Sequence, residues 1–329
     1  MVRVTRPQPD RGLSCRSLIR APALESGDIV RVVAPAGPYD PERLERGLAV
    51  LRDRFGLRPR MREDIGTRSG YLAGDDARRQ AEWREAVVDP EARAIWCARG
   101  GYGTMRILPG LETGALLRSP KLVIGFSDVT AIHAVLNQAG LVTVHGPVLV
   151  QLERLAPAAL DHLEAMLFRR ALQSAAEPAP GTGCTGEAVI RPGRATGPLL
   201  GGSLTLLAHL CGTRWQPRLA GALLFFEDVG EKPYRLDRYL TQLRLSGALD
   251  GVAGVAVGRL TDCDEPGLSA AEVVRAEVAR LGVPAIEGIA AGHEADNRAL
   301  PLGAQATLVA PAPGEPGLPR LLFDEGATA

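Results

Sequence analysis

The turn around Ser127 combines the features that place a serine nucleophile. It follows the apolar run Leu122–Ile124 and precedes an amphipathic stretch that starts at Val129. A serine on a sharp strand-to-helix turn projects its hydroxyl above the sheet, and the amide of Asp128 would then face an oxyanion at a helix amino terminus. The turn differs from G-x-S-x-G, because Val129 replaces the second glycine. Taken alone, the pattern is also typical of a residue that only caps the next helix.

A serine hydroxyl needs a base to accept its proton, and histidine is the most frequent base in such sites. The sequence contains five histidines. Four of them fall in predicted helices or at a strand end, where structural roles are more frequent: His133, His145, His162 and His209. His293 lies instead in the polar turn Gly292–Asn297, from which a side chain can reach into a cleft. His293 is therefore the candidate base.

Three carboxylates follow the apolar run Leu223–Phe226, namely Glu227, Asp228 and Glu231. An acid that accepts a hydrogen bond from the base fixes its tautomer and stabilises the imidazolium. Such a cluster indicates either an acid held at a cleft or the charge pattern of a helix start. Glu227 directly follows the predicted strand, so we expect it at the strand end, partly buried at the cleft. Glu231 remains the alternative acid.

A glycine-rich turn, Arg99–Gly103, follows the apolar run Ala94–Ala98. Three glycines in four positions let the backbone approach a ligand closely and offer its amides to an anion. The turn matches neither a P-loop nor the dinucleotide-binding fingerprint. Phosphate binding and a plain tight turn stay open as alternatives.

The cysteines predict neither a disulfide framework nor a zinc site. They are odd in number, scattered and free of C-x-x-C spacing: Cys15, Cys97, Cys184, Cys211 and Cys263. Cys97 closes an apolar run, so we expect a small buried strand residue there rather than a reactive thiol. No metal or organic cofactor is expected.

The elements that must position these residues alternate between strands and helices. Strands are predicted at Ile29–Val33, Ala94–Ala98 and Leu122–Ile124, with helices after Asp40, over 75–88 and over 129–139. This alternation is typical of a doubly wound parallel sheet, in which ligands bind at the carboxyl ends of the strands. The active loops should therefore follow Ala98 and Ile124.

Four segments are predicted along the chain. Residues 1–22 form a mobile extension, 23–160 a nucleophile-bearing α/β domain, 161–195 a linker or connection, and 196–329 a carboxy-terminal domain carrying the acid and the base. The connection is predicted because periodicity disappears into proline, glycine, alanine and threonine.

Composition narrows the possible functions. With 46% hydrophobic and 23% charged residues, the 329-residue chain is ordinary globular material. Lys+Arg and Asp+Glu both number 38, so no basic excess favours nucleic acid. No secretory signal or membrane-spanning apolar run is present in the sequence, which favours a cytoplasmic protein.

Several motifs together resemble one known family, that of the LD-carboxypeptidases. They occur in matching order between about Ser26 and Val309: Arg99–Gly103, Gly125–Thr130, Glu227–Glu231, Tyr234–Arg238, Gly292–His293 with Asn297, and Leu300–Gly303. The family comprises muramoyltetrapeptide carboxypeptidases and related microcin C resistance hydrolases.

The resemblance implies a serine hydrolase with a flavodoxin-like amino-terminal domain and a smaller, mostly β carboxy-terminal domain, often a homodimer. It places the nucleophile on Ser127, the acid on Glu227 and the base on His293. The oxyanion donors would be the backbone amides of Asp128 and Gly101. One departure is Ser203, where the family more usually has asparagine.

The activity implied is hydrolysis of the L,D-amide bond to the terminal D-Ala of a murein tetrapeptide during cell-wall recycling. Gly100 and Arg99 would contact the substrate, with Arg99 as the cation for its carboxylate. One alternative is an amidase that inactivates peptidyl-nucleotide antibiotics. The nucleobase of such a substrate would need an aromatic residue to stack on, and there is no Phe, Tyr or Trp between Phe168 and Trp215. Another is a binding protein for an anionic ligand.

Overall fold

The computed structural model describes residues 18–168 and 183–329. Within these ranges the strands are β1 (Ile29–Val33), β2 (Arg58–Arg60), β3 (Ala92–Cys97), β4 (Leu122–Gly125), β5 (Thr143–His145), β6 (Gly183–Thr185), β7 (Ala188–Arg191), β8 (Gly193–Ser203), β9 (Leu223–Val229), β10 (Gly254–Thr261), β11 (Ala285–Glu287), β12 (Leu300–Leu302), β13 (Gln305–Ala310) and β14 (Arg320–Phe323). The α-helices are α1 (Pro41–Ala49), α2 (Asp76–Val88), α3 (Thr104–Ile107), α4 (Gly114–Arg118), α5 (Thr130–Ala139), α6 (Pro157–Leu167), α7 (Leu204–Leu210), α8 (Pro233–Leu245) and α9 (Ala270–Ala279).

Five parallel strands form most of the first sheet, in the order β2-β1-β3-β4-β5. This is the flavodoxin-like strand order, so the predicted doubly wound fold is confirmed. The strands read as continuous apolar runs because helices cover the sheet, and Val30, Ile95, Ile124 and Val144 are fully buried. The turns that follow β3 and β4 lie at the same edge of the sheet.

A sixth strand of this sheet comes from the other half of the chain. β12 pairs antiparallel with β5, and its Leu300 lies opposite His145. The carboxy-terminal half therefore completes the edge of the first sheet.

The second sheet is mixed, in the order β6-β14-β13-β8-β9-β10-β11-β7. The central strands β8 to β11 run parallel, whereas the outer pairs are antiparallel. Helices α7, α8 and α9 bury Leu207, Leu240 and Val274 in one apolar cluster with β9 and β10. The expected mostly β carboxy-terminal domain is confirmed.

The segment 161–195, expected to be a connection, contains structure. Helix α6 reaches Leu167, and strands β6 and β7 belong to the second sheet. Strand β6 has three residues and β7 has four, which is too short to show a clear alternation of apolar and polar residues in the sequence. Residues 169–182 lie outside the described ranges.

Part of the expected extension, from residue 18 onward, is bonded to the body of the protein. Residues 1–17, in the expected mobile extension, lie outside the described part of the chain. Ile19 N donates to Gly140 O at 2.7 Å, and Ala329 N donates to Ala21 O at 2.9 Å. These bonds fix residues that the sequence assigned to the extension.

Among residues 18–168 and 183–329, no helix combines the length and the apolar character that crossing a bilayer requires.

Candidate active site

Ser127 occupies a strained position directly after the first sheet. Strand β4 ends at Gly125, Phe126 is extended, and Ser127 has a φ of 63°. Only Ser127 and Asp262 combine a side chain with a positive φ among the described non-glycine residues. The left-handed conformation costs an L-residue roughly 1–2 kcal/mol. A strained strand-to-helix turn is the setting in which a serine hydroxyl is exposed for attack.

The glycine-rich turn packs directly against this serine. A Cβ added at Gly100 would lie 2.9 Å from Ser127 Cβ and 3.0 Å from its Oγ. Gly101 follows with a φ of 110°, which favours glycine, and Gly37 N donates to Gly100 O at 3.1 Å. The backbone of the turn at Gly100 therefore lies directly against the side chain of Ser127.

The side chain of Asp128 joins the glycine-rich turn to the serine turn. Thr104 N donates to Asp128 Oδ2 at 2.8 Å, and Thr104 Oγ1 donates to Asp128 O at 2.5 Å. Asp128 is buried, and this burial raises the pKa of its carboxyl. From the sequence, Asp128 was expected to offer its backbone amide or to cap the next helix, and the contact of its side chain with Thr104 was not predicted.

Arg79 of α2 holds the other end of the glycine-rich turn. Its Nη1 donates to Pro35 O at 2.6 Å and to Gly103 O at 2.7 Å, and the side chain is fully buried. A third hydrogen bond from the guanidinium, donated by Nη2, reaches Asp76. The sequence analysis missed Arg79, because a charged residue in an amphipathic helix is usually on the solvated face.

In the second half of the chain, the half-buried His293 is paired with the buried Glu227. His293 Nδ1 lies 2.9 Å from Glu227 Oε2, and Glu227 is fully buried. Because a carboxylate only accepts, the proton lies on Nδ1, and Nε2 keeps its lone pair. This arrangement orients the imidazole as a base.

Glu227 lies inside β9 rather than beyond its end, which corrects the expected position. The strand continues to Val229 because its parallel pairing with β10 resumes at Asp228. On the other side Ser203 of β8 lies opposite Glu227. The side chain of Glu227 is fully rather than partly buried, and Gly258 and Gly292 pack closely against it.

The pKa of His293 is raised above its ordinary value of 6.5. Burial favours the neutral ring, but the hydrogen bond and charge of Glu227 outweigh it, and the charge of Asp228 adds to them. His145, whose ring is fully buried, lies close enough to interact electrostatically with His293. Burial lowers the pKa of His145, so that neighbour is neutral.

The other two acids of the cluster are engaged elsewhere. Asp228 accepts from Thr205 N at 2.7 Å and from Thr205 Oγ1 at 2.8 Å, and burial with the charge of Glu227 raises its pKa to about 6. Glu231 accepts from Arg235 Nη1 at 3.3 Å and from Tyr239 Oη at 3.4 Å. Of the three acids, the structure brings Glu227 to His293.

Phe126 connects the serine turn to His293. Its ring lies 4.6 Å from the imidazole of His293, centroid to centroid. The hydrogen bonds of the described residues do not include one between Ser127 Oγ and His293. In hydrolases without substrate, this contact is often long and tightens when substrate binds.

The remaining expected residues lie around the same turns. Arg99 is exposed, and its Nη1 donates to Pro38 O at 2.5 Å. Ser203 is buried, and its Oγ accepts from Leu206 N at 3.4 Å as the amino-terminal cap of α7. Capping explains Ser203 without a catalytic role.

The other candidate residues are buried in structural positions. His133 Nε2 contacts Gly125 O at 2.8 Å and His162 Nε2 contacts Ala299 O at 2.9 Å, and burial lowers the pKa of each to about 4. Cys97 is fully buried, which raises the pKa of its thiol. Within the described ranges no group of three or more His, Cys, Asp or Glu side chains is arranged to hold a metal.

Comparison with known proteins covers both halves of the chain. Residues 30–146 match the family model described as the LD-carboxypeptidase N-terminal domain, and residues 196–308 match the LD-carboxypeptidase C-terminal domain. The glycine-rich turn and Ser127 fall within the first match, and Glu227 and His293 fall within the second.

Relatives match over most of their own length. A Streptomyces coelicolor protein with a carboxypeptidase name is 42% identical over 304 residues, which cover 89% of this chain and 94% of that protein. The murein tetrapeptide carboxypeptidase of Pseudomonas aeruginosa is 34% identical over 295 residues, covering 85% of this chain and 92% of that protein. The Escherichia coli microcin C7 self-immunity protein MccF is more distant, at 26% identity over 302 residues.

Among solved structures, the muramoyltetrapeptide carboxypeptidase from Oxalobacter formigenes is similar in fold, with a TM-score of 0.78 at 28% identity. The match covers 91% of this chain and 99% of that one. Matched in both domains and aligned with relatives nearly end to end, the chain belongs to the LD-carboxypeptidase family.

Proposed function

We propose that this protein is a serine carboxypeptidase that hydrolyses the L,D-amide bond to the terminal D-Ala of murein tetrapeptides in cytoplasmic cell-wall recycling. The bond joins the L-configured centre of diaminopimelate to D-Ala. The observation that carries the proposal is the hydrogen-bonded pair of His293 and the buried Glu227, beside a turn that holds Ser127 in a left-handed conformation. Relatives named for murein peptides support the choice of substrate.

The first half of the reaction is acyl transfer to the serine. Ser127 Oγ attacks the carbonyl carbon of the scissile amide as its proton passes to His293 Nε2. Glu227, which accepts from Nδ1, stabilises the imidazolium that forms. His293 then donates the proton to the amide nitrogen, the C–N bond breaks, and D-Ala leaves.

The second half regenerates the enzyme. Water attacks the acyl group, with His293 accepting one of its protons, and the proton returns to Ser127 Oγ as the ester bond breaks. In both halves the negative oxygen accepts from the backbone amides of Asp128 and Gly101. The turns that carry these amides are joined through Thr104 and Gly100. Donors fixed in advance of the reaction stabilise the developing charge most.

Arg99 is the candidate cation for the free carboxylate of D-Ala. It is exposed at the start of the glycine-rich turn, and its side chain donates a hydrogen bond to a neutral group, the backbone carbonyl of Pro38. A guanidinium engaged by a carbonyl rather than by a carboxylate can still attract an anionic substrate. Gly100, which abuts Ser127, leaves room for the scissile bond.

The proposal is tested by incubating the purified protein with murein tetrapeptide and measuring free D-Ala by mass spectrometry. We expect stoichiometric release of D-Ala and tripeptide, abolished in Ser127→Ala. A peptidyl-nucleotide amide serves as the comparison substrate. Faster cleavage of that amide than of the tetrapeptide would assign the amidase function instead. Binding without turnover of either compound would assign a binding protein.

A further inference from the structure

Two buried carboxamide side chains are hydrogen-bonded to the backbone on either side of His293. Gly292 N donates to Asn297 Oδ1 at 3.0 Å, and Asn297 Nδ2 donates to Gln151 Oε1 at 2.9 Å. Gln151 Nε2 then donates to Glu294 O at 3.1 Å. The residues immediately before and after the base are thus tied to one another through two side chains, which we call the amide clamp (Gln151 and Asn297).

The direction of every hydrogen bond in the amide clamp is fixed by its two ends. The backbone N–H of Gly292 can only donate, so it must meet the oxygen of Asn297. The carbonyl of Glu294 can only accept, so it must meet the nitrogen of Gln151. The remaining pair is therefore Nδ2 of Asn297 and Oε1 of Gln151, and no flip of either carboxamide satisfies all three bonds.

The amide clamp is buried and joins the two halves of the chain. Asn297 is fully buried and Gln151 is 8% exposed. Gln151 lies in a 3-10 segment that follows β5, and this segment is bonded to the first sheet by Val150 N, which donates to Ala98 O at 3.2 Å. Ala98 directly precedes the glycine-rich turn. The clamp therefore ties the loop of the base to the strand end that carries that turn.

We propose that Gln151 and Asn297 are positioning residues that hold His293 in register between Glu227 and Ser127. The inference rests on the proposed function for its catalytic consequence. Neither carboxamide touches the reacting atoms. Each acts through the backbone on one side of His293, and a displacement of about 1 Å at a catalytic group can cost about 10²-fold in turnover.

The test uses variants of matched shape. Gln151→Glu places a carboxylate oxygen against Glu294 O, and Asn297→Asp places one against Gln151 Oε1, so in each variant two acceptors face one another. Gln151→Met removes the hydrogen bonds without adding charge. The control is Gln138→Glu, because Gln138 Nε2 also donates to a backbone oxygen, that of Gln216 at 2.7 Å, but is exposed.

We expect kcat to fall about 10²-fold in the three clamp variants, with KM changed less than about threefold, and Gln138→Glu to match the wild type. In Gln151→Met, an NMR titration of His293 should show its pKa fall toward the ordinary value, because the ring no longer sits firmly against Glu227. Thermal unfolding confirms that each variant is folded. Gln151→Met keeps the test usable if the charged variants do not fold.

A folded Gln151→Met with wild-type kcat and an unchanged His293 pKa would overturn the positioning role. So would a change confined to KM. Failure of the proposed function looks different, since the wild-type protein would then release no D-Ala. In that event the His293 titration still decides whether the amide clamp holds the imidazole against Glu227.

Discussion

The ring of Phe126 packs on the imidazole of His293, with the two centroids 4.6 Å apart. Phe126 belongs to the serine turn of the first sheet, and His293 to a loop of the second half of the chain. The ring of Phe126 also contacts the ring of His145 edge to face, with the two centroids 5.7 Å apart. The imidazole of His293 therefore packs on the aromatic ring of the residue next to Ser127.

Replacing Ser127 by alanine should lower turnover by several orders of magnitude and leave the protein folded, because members of a catalytic triad act as a unit. Ser203→Ala is the matched control. It removes a helix cap, which costs about 1 kcal/mol of stability, and should reduce kcat less than about tenfold. Rates of D-Ala release from murein tetrapeptide compare the two. Equal losses would make Ser203 a rival nucleophile.

The acid is tested by two amide substitutions. Glu227→Gln should lose roughly 10²–10⁴ of kcat, on the precedent of the aspartate in another serine hydrolase. Glu231→Gln should lose less than about tenfold, because that carboxylate contacts Arg235 and Tyr239 rather than His293. Steady-state kinetics on both folded variants gives the order. The reverse order would move the acid to Glu231.

The pH dependence follows from the raised pKa of His293. A raised pKa means that the folded protein holds the proton on the ring to higher pH, and a protonated ring cannot act as a base. We therefore expect kcat/KM to rise with pH to a plateau, with a midpoint above 6.5. Glu227→Gln should shift this midpoint to lower pH, since it removes the main cause that raises the pKa. A shift to higher pH would contradict the assignment.

Gly100→Ala should impair catalysis by steric contact. The new Cβ would lie 2.9 Å from Ser127 Cβ, so the turn or the serine must move, and we expect kcat to fall about 10²-fold. Gly114→Ala is the control, because its Cβ would meet Arg118 Nη1 at an ordinary 3.5 Å. Wild-type kcat in Gly100→Ala would show that the glycine-rich turn does not constrain the serine.

Much of the first sheet could be predicted because its signals are local. Apolar runs such as Ile29–Val33 and the amphipathic helix α1 carry their periodicity in consecutive residues. Strand β12 could not be found in this way. Three residues, Leu300–Leu302, become a strand only because β5 offers an unpaired edge, and the sequence does not encode that pairing locally.

The same distinction applies to the site. Ser127, Glu227 and His293 are of residue types whose chemistry draws notice, and turns or strand ends mark their positions. Gln151 carries no such signal. A glutamine in a segment of mixed polar and apolar residues does not indicate a function, and its role is visible only when the fold places Asn297 beside it. Functions that depend on hydrogen bonds between distant residues need the fold to be known first.

The pairing of β12 with β5 means that the two halves of this protein are not exchangeable modules. A fragment ending before the second sheet would keep the pairing of β5 with β4 but would leave the other edge of β5, which includes the buried His145, without a partner strand. Such an exposed edge favours aggregation over folding. A chimaera with a relative would therefore have to take Leu300–Leu302 from the same parent as the first sheet. Strands β6 to β11 of the second sheet lie between β5 and these residues in the sequence.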